Sequence, residues 1–158
     1  MLSAKVDTNL NQVRKRFLKF RKKLPREVTK GLLRAGLQLK EIILDKTDRG
    51  IDQDGRRFVP YSKSYSDEKG KTTVNLQDTN RMLQSITARP EGKNKVKLFF
   101  RSQREANKAL FHQKGLGNLP ERKFFGFSRA NEKAIQREFA KFIKKQMKNF
   151  KIWVREKI

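Results

Sequence analysis

The only histidine of this 158-residue chain, His112, stands in FHQKGLGNLPERKFFGFS, Phe111 to Ser128. An imidazole beside glycines and Arg122 is the residue type for acid–base work near neutral pH. With one histidine and no cysteine, a Cys-His pair and a multi-histidine metal site are both closed to it. A Ser-His-Asp relay would have to use His112 as its base, and no G-x-S-x-G turn accompanies it. Next to Phe111 at a predicted helix end, the ring suits a bond to a carbonyl or a packed position.

Three other constellations fail on spacing. Asp52-Gln53-Asp54-Gly55 matches part of a calcium loop, but aligning Gly55 puts Gly50 at the first ligand position and Tyr61 where a glutamate is needed. A tight turn is the better reading. Glu91-Gly92-Lys93 has the acidic-x-lysine form of some metal-dependent nucleases. It falls in a hairpin turn with no carboxylate pair nearby, and hard cations need several oxygens. Gly115-Leu-Gly-Asn118 lacks the lysine and helix start of a phosphate loop. No catalytic, cofactor-binding or metal-ligating residue is assigned, and the chain is expected not to be an enzyme.

The elements that would position these residues read as follows. Leu10, Val13, Phe17, Phe20 and Leu24 lie three and four apart, a narrow helical seam over 8–24. Arg14, Lys15, Lys19 and Lys22 occupy its other face. Pro25 is expected to end this helix and open a second over 26–45, the main core helix, with Val28, Leu32, Ala35, Leu39 and Ile42 in its stripe, widened by Leu33 and Ile43. Turn formers fill 46–62, a helical turn covers 64–69, and Asp78 or Thr79 caps a short helix over 80–86 with Leu76, Met82 and Leu83 inward. A hairpin spans about 86–101, its Val96, Leu98 and Phe100 alternating with Lys95 and Lys97. A helix over 103–113 ends near Gly115, a short strand covers 124–127, and Ser128 caps a last helix. That helix sets Ile135, Phe139, Phe142, Ile143, Met147 and Phe150 against Arg137, Lys141, Lys144, Lys145 and Lys148. The expected fold is therefore α+β: long N- and C-terminal helices packed on a small antiparallel sheet. One domain is expected over 1–158, with 1–24 and 151–158 as peripheral arms.

Forty Lys and Arg against sixteen Asp and Glu leave a formal charge of +24. That exceeds what solubility requires and points to a polyanionic partner, nucleic acid or an acidic protein surface. The phenylalanines interleaved with these cations follow core spacing, which argues against a base-stacking platform. The signal is strong for phosphate attraction and weak for a specific motif. Absent cysteine fits a reducing compartment. No signal-peptide core and no membrane-length apolar run is found, so a soluble, non-secreted chain without a membrane partner is expected.

Three blocks in order resemble the virion-morphogenesis and tail-completion proteins of tailed phages, including Mu-like phages. The first is DGRRFVPYSKSY, Asp54 to Tyr65, followed by Lys69. The second is LQDTNRMLQSI, Leu76 to Ile86, in which Thr79-Asn80 stands for the family's Thr-Gly; asparagine is the next best residue for a left-handed backbone. The third is the His112-Gln113 stretch, with Pro120, Arg122, Phe124 and a final helix. The resemblance covers roughly Gly50 to Ile135. It implies a non-enzymatic neck subunit of the virion, assembled in the host cytoplasm. Such subunits form hexameric or dodecameric rings at the head–tail junction, between portal or adaptor and tail terminator or tail tube, around packaged DNA. It also implies that Asp54, Gly55, Phe58, Pro60, Tyr61, Tyr65, His112, Gln113, Pro120, Arg122, Phe124 and Phe125 form docking loops, with Arg122 the foremost intersubunit contact. The rival expectation is a free, sequence-nonspecific nucleic-acid-binding protein.

Overall fold

A computed structural model describes residues 10–70 and 72–149. The chain is α+β, two long helices enclosing a two-stranded antiparallel sheet and three shorter helices. Helix α1 runs Leu10–Asp48, α2 Lys63–Lys69 and α3 Arg81–Gln84. Strand β1 is Ile86–Pro90 and β2 Val96–Phe100, followed by α4, Gln103–Lys114, and α5, Arg129–Asn149.

The expected break at Pro25 does not occur: α1 is continuous for 39 residues with Pro25 inside it. The proline removes the N–H that would bond the Arg21 carbonyl, a loss on the order of 3 kcal/mol in a helix interior. The neighbouring turn is tied to the hairpin: the single hydroxyl hydrogen of Thr29 is shared between the Pro25 carbonyl at 3.0 Å and the Lys93 carbonyl of the hairpin turn at 3.1 Å. Beyond it the helix is clamped on both sides. A Cβ on Gly31 would lie 2.9 Å from the rings of Phe139 and Phe142, and one on Gly36 would lie 2.8 Å from Val96. These two glycines let α5 and the hairpin each approach the α1 backbone, on different faces of one rod.

Helices α1 and α5 run antiparallel. Lys46 donates to Asn131 at 3.1 Å near one end, and the Arg34 guanidinium lies 5.3 Å from the Phe142 ring farther along. Continued, this register sets Asn149 beside about residue 27 of α1. Leu10 to Lys22 thus runs past the last described turn of α5. The seam expected there is only partly used: Phe20 is buried, but Phe17 is 53% exposed.

Strands β1 and β2 pair Ile86 with Phe100 and Pro90 with Val96. The face toward α1 carries Ala88, Val96 and Leu98. On the other face Arg89 stacks over Phe99 at 4.6 Å. Ile43, Phe58, Val74, Leu76, Met82, Leu83, Ile86, Ala109 and Phe124 form the hydrophobic core, where α1, α3, the hairpin and α4 meet. The inward setting of Leu76, Met82 and Leu83 matches the sequence expectation.

Smaller differences concern caps and the last strand. Helix α3 is shorter than expected and is preceded by Asn80 in the left-handed region (φ 57°), as its side-chain type allows; Asp78 and Thr79 do not cap it. No strand forms at 124–127. The Phe125 backbone is satisfied by a side chain instead: its N–H donates to Gln113 Oε1 at 2.9 Å, and Gln113 Nε2 donates to its carbonyl at 3.4 Å. An amide that mimics a neighbouring strand leaves nothing for a ladder to pair. Ser128 does begin α5, its hydroxyl donating to Asn131 Oδ1 at 2.7 Å and accepting the Asn131 N–H at 3.4 Å. Residues 151–158 and 1–9, expected as arm segments, lie outside the described residues, as does Phe150.

Candidate functional site

Helix α1 leads straight into the first loop of the site. Asp52 Oδ1 accepts the N–H groups of Asp54 and Arg56, both at 2.8 Å. That carboxylate is spent on a turn, as the failed calcium match requires. Phe58 N–H then donates to the Gly50 carbonyl at 2.8 Å, and Gln53 N–H to the Lys123 carbonyl at 2.8 Å. The loop is thereby pinned between the end of α1 and the segment after α4.

Its next three residues meet Arg122, which is 3% exposed. Arg122 Nε and Nη2 donate to the Val59 carbonyl at 3.1 and 3.0 Å, and Nη2 also reaches the Pro60 carbonyl at 3.3 Å. The guanidinium carbon lies 5.1 Å from the Tyr61 ring centre. A buried guanidinium is tolerated only when its donors are spent, and here carbonyls that no sheet pairs take them. Burial lowers the Arg122 pKa from its ordinary value, with Tyr61 and Tyr65 acting in the opposite direction.

Tyr61 is the hub. Its hydroxyl accepts from Lys69 Nζ at 3.0 Å and from the Leu76 N–H at 3.3 Å, and its ring meets Tyr65 edge-on at 4.9 Å. Lys69 also donates to Asn75 Oδ1 at 2.9 Å. Leu76 is held at φ 53°, a left-handed backbone that costs a branched side chain about 1–2 kcal/mol. The Tyr61 hydroxyl satisfies the N–H of that strained residue. Residues 54–65, Lys69, 75–76 and 112–122 therefore converge on one aromatic-cationic cluster.

His112 stands at its edge. Its carbonyl accepts the Arg122 N–H at 2.7 Å, while Nδ1 is buried without a hydrogen-bond partner among the described residues. Burial, and then the Arg122 charge, hold its pKa below the ordinary histidine value, so the ring is neutral at pH 7. Pro60, Tyr61, Tyr65, Leu119 and Pro120 wall a cavity of about 380 Å³ beside it, which Ser62, Asp78, His112 and Arg122 also line. Serine, histidine and aspartate share this wall, yet no hydrogen bond joins any two of them. Ser62 Oγ accepts the Tyr65 N–H at 3.4 Å and caps α2. Nucleophile–base contact comes before any relay, and it is not formed.

The expected docking residues divide into two groups. Arg122 points inward, its guanidinium tying the segment after α4 to the Val59–Pro60 loop. Phe58 and Phe124 are core residues at 6% and 1% exposure. Phe125 packs on Phe100 with ring centres 4.9 Å apart, and Gln113 serves its backbone. Asp54, Gly55, Pro60 and Tyr65 are exposed, whereas Tyr61, His112 and Pro120 are half-buried around the cavity.

The basic positions are all exposed: Arg14, Lys15, Lys19 and Lys22 on α1, Lys95 and Lys97 on the hairpin, and Arg137, Lys141, Lys144, Lys145 and Lys148 on α5. Among the described residues ion pairs are few: Lys30–Glu27, Arg49–Asp45, Lys108–Glu105, Lys123–Glu121 and Lys141–Glu138. Arg34 of α1 and Glu138, Lys141 and Lys145 of α5 line a groove of about 430 Å³ between the two helices. No group of three His, Cys, Asp or Glu able to hold a metal occurs among the described residues, and none of their helices is long and apolar enough to cross a membrane.

Sequence reasoning missed Leu76 as a strained backbone position and Asn75 as the partner of Lys69. Neither carries a local signal, because both acquire their roles from Tyr61 across a loop. It also passed over the acids of KEIILDKTD, whose spacing was readable. Compared with protein-family models, curated proteins and solved structures, the chain matches none.

Proposed function

We propose that this chain is a structural virion subunit of a tailed bacteriophage, a neck or tail-completion protein that forms a ring at the head–tail junction around the DNA channel. The observation that carries the reading is the convergence of the blocks Asp54–Tyr65, Leu76–Ile86 and Phe111–Ser128 on the Tyr61–Arg122 cluster. Arg122, Tyr61 and Lys69 spend their polar groups on holding loops in fixed shapes, which suits a docking module. The partners in this reading are further copies of the chain, a portal or adaptor, a tail terminator or tail tube, and packaged DNA. The exposed lysines of α5 and the hairpin would face that DNA or acidic neighbours. Native mass spectrometry across concentration, followed by location of the chain in a particle reconstruction, tests it. A chain that stays monomeric and joins no ring of the particle sinks the proposal.

One observation favours a second reading, a sequence-nonspecific nucleic-acid-binding protein: the five ion pairs above leave most of the described cations unneutralised. That reading expects the isolated monomer to bind duplex DNA tightly, with affinity falling steeply as salt rises. Weak monomer binding at 150 mM salt, with binding gained on assembly, separates the two.

A further inference from the structure

Two stripes on α1 have the same spacing and opposite charge. Near its start, Arg14, Phe17, Leu18 and Arg21 fall at i, i+3, i+4 and i+7, and all four are exposed. Near its end, Glu41, Leu44, Asp45 and Asp48 repeat that spacing. Each set lies along one helix face. The second stripe lines a groove of about 390 Å³ against α3, which Lys40, Gln77, Asn80, Leu83 and Gln84 also line, so that three carboxylates there stand against one lysine. Glu41 has no ion-pair partner among the described residues, Asp45 pairs with Arg49, and Asp48 accepts from Gln77 at 3.1 Å. In a chain of net charge +24, this is a concentration of acid beside an apolar floor, and the other stripe sets two exposed apolar side chains between two arginines.

The stripes cannot meet within one molecule. They sit on a single unbroken helix whose rise of 1.5 Å per residue holds their centres about 40 Å apart. Whatever fills the acidic groove with a basic helical stripe comes from another molecule.

We infer that the Arg14–Arg21 stripe of one copy docks in the Glu41–Asp48 groove of the next, so that copies join head to tail. Phe17 and Leu18 seat over the half-buried Leu44, while the arginines reach Glu41 and Asp48. A contact between two different patches of one chain is heterologous, closing into a ring or continuing as a filament according to its rotation. The inference rests on the ring reading above and assigns its joint.

The test uses two full-length variants, Arg14→Glu/Arg21→Glu and Glu41→Lys/Asp48→Lys, changed only at exposed positions, with assembly followed by light scattering after size exclusion at 150 mM salt. The wild type should assemble, and each variant alone should lose assembly, because its arm and groove now repel. Mixed in equal amounts, the two should co-assemble in alternation, since each arm again meets a groove of opposite sign. That recovery also shows that both variants are folded. A variant that assembles alone like the wild type, or a mixture that stays monomeric, overturns the inference. A monomeric wild type removes both this joint and the ring. Assembly that obeys the charge swap but never enters a particle removes only the neck assignment.

Discussion

The Arg122 guanidinium lies 5.1 Å from the centre of the Tyr61 ring and, from the same place, donates to the carbonyls of the two residues that precede it. One side chain thus fixes both the backbone of the loop and the aromatic ring at its end. Lysine keeps the charge but offers no planar fork. Arg122→Lys is expected to lower stability by about 2–4 kcal/mol, because the Val59 and Pro60 carbonyls lose donors and the ammonium replacing the buried guanidinium is poorly placed. A urea titration checks it through the midpoint at constant slope. A midpoint within error of the wild type would remove Arg122 from the centre of the site.

Tyr61 hydroxyl joins Lys69 to the Leu76 backbone, so the two side chains should not act independently. Tyr61→Phe is expected to cost about 1–2 kcal/mol. In a double-mutant cycle with Lys69→Met, the coupling should exceed about 0.5 kcal/mol. Strict additivity would mean that the 3.0 Å contact contributes nothing to the fold.

Acid should weaken the site through His112. Its folded pKa is lowered, first by burial and then by Arg122, while the unfolded ring keeps a value near 6.5. Below that pH the unfolded chain binds more protons than the folded one, so stability falls as pH falls. The contribution is complete above about pH 6.5 and is lost on descent through the folded value. His112→Gln should flatten this acid limb in unfolding measurements between pH 7 and 5. Parallel curves for the two proteins would contradict the assignment.

Two helix-ending glycines share φ +63° but differ in surroundings. A Cβ on Gly115 would lie 2.8 Å from the backbone nitrogen of Glu121, whereas one on Gly70 meets nothing within 4 Å. Both alanine variants bear the left-handed penalty of about 1–2 kcal/mol, and only Gly115→Ala must also displace backbone. Thermal unfolding should separate them by about 1–3 kcal/mol. Because Gly115 positions the segment leading to Arg122, the larger loss should be accompanied by weaker near-ultraviolet signal from Tyr61.

Elements with periodic apolar positions were readable from the sequence: the stripe of α1 through Ile43, the alternation in β2, and the Ser128 cap. What was not readable depended on partners distant in the chain. Pro25 carries a local stop signal, but the clamps at Gly31 and Gly36 come from α5 and the hairpin. Phe124 and Phe125 read as strand by type, yet the Gln113 amide takes the Phe125 hydrogen bonds. Arg122 was legible as an important residue. Its inward direction was not, because the carbonyls that claim it belong to a loop with no regular pattern.

The unbroken passage through Pro25 makes α1 a ruler with a phase. If one residue were inserted between Arg21 and Val28, the Arg14–Arg21 stripe would turn by about 100° around the axis and face away from its present direction. Seven inserted residues would restore the direction to within about 20° while moving the stripe about 10 Å outward. Reach and bearing at the far end of the molecule are thus both set by counting residues along one helix.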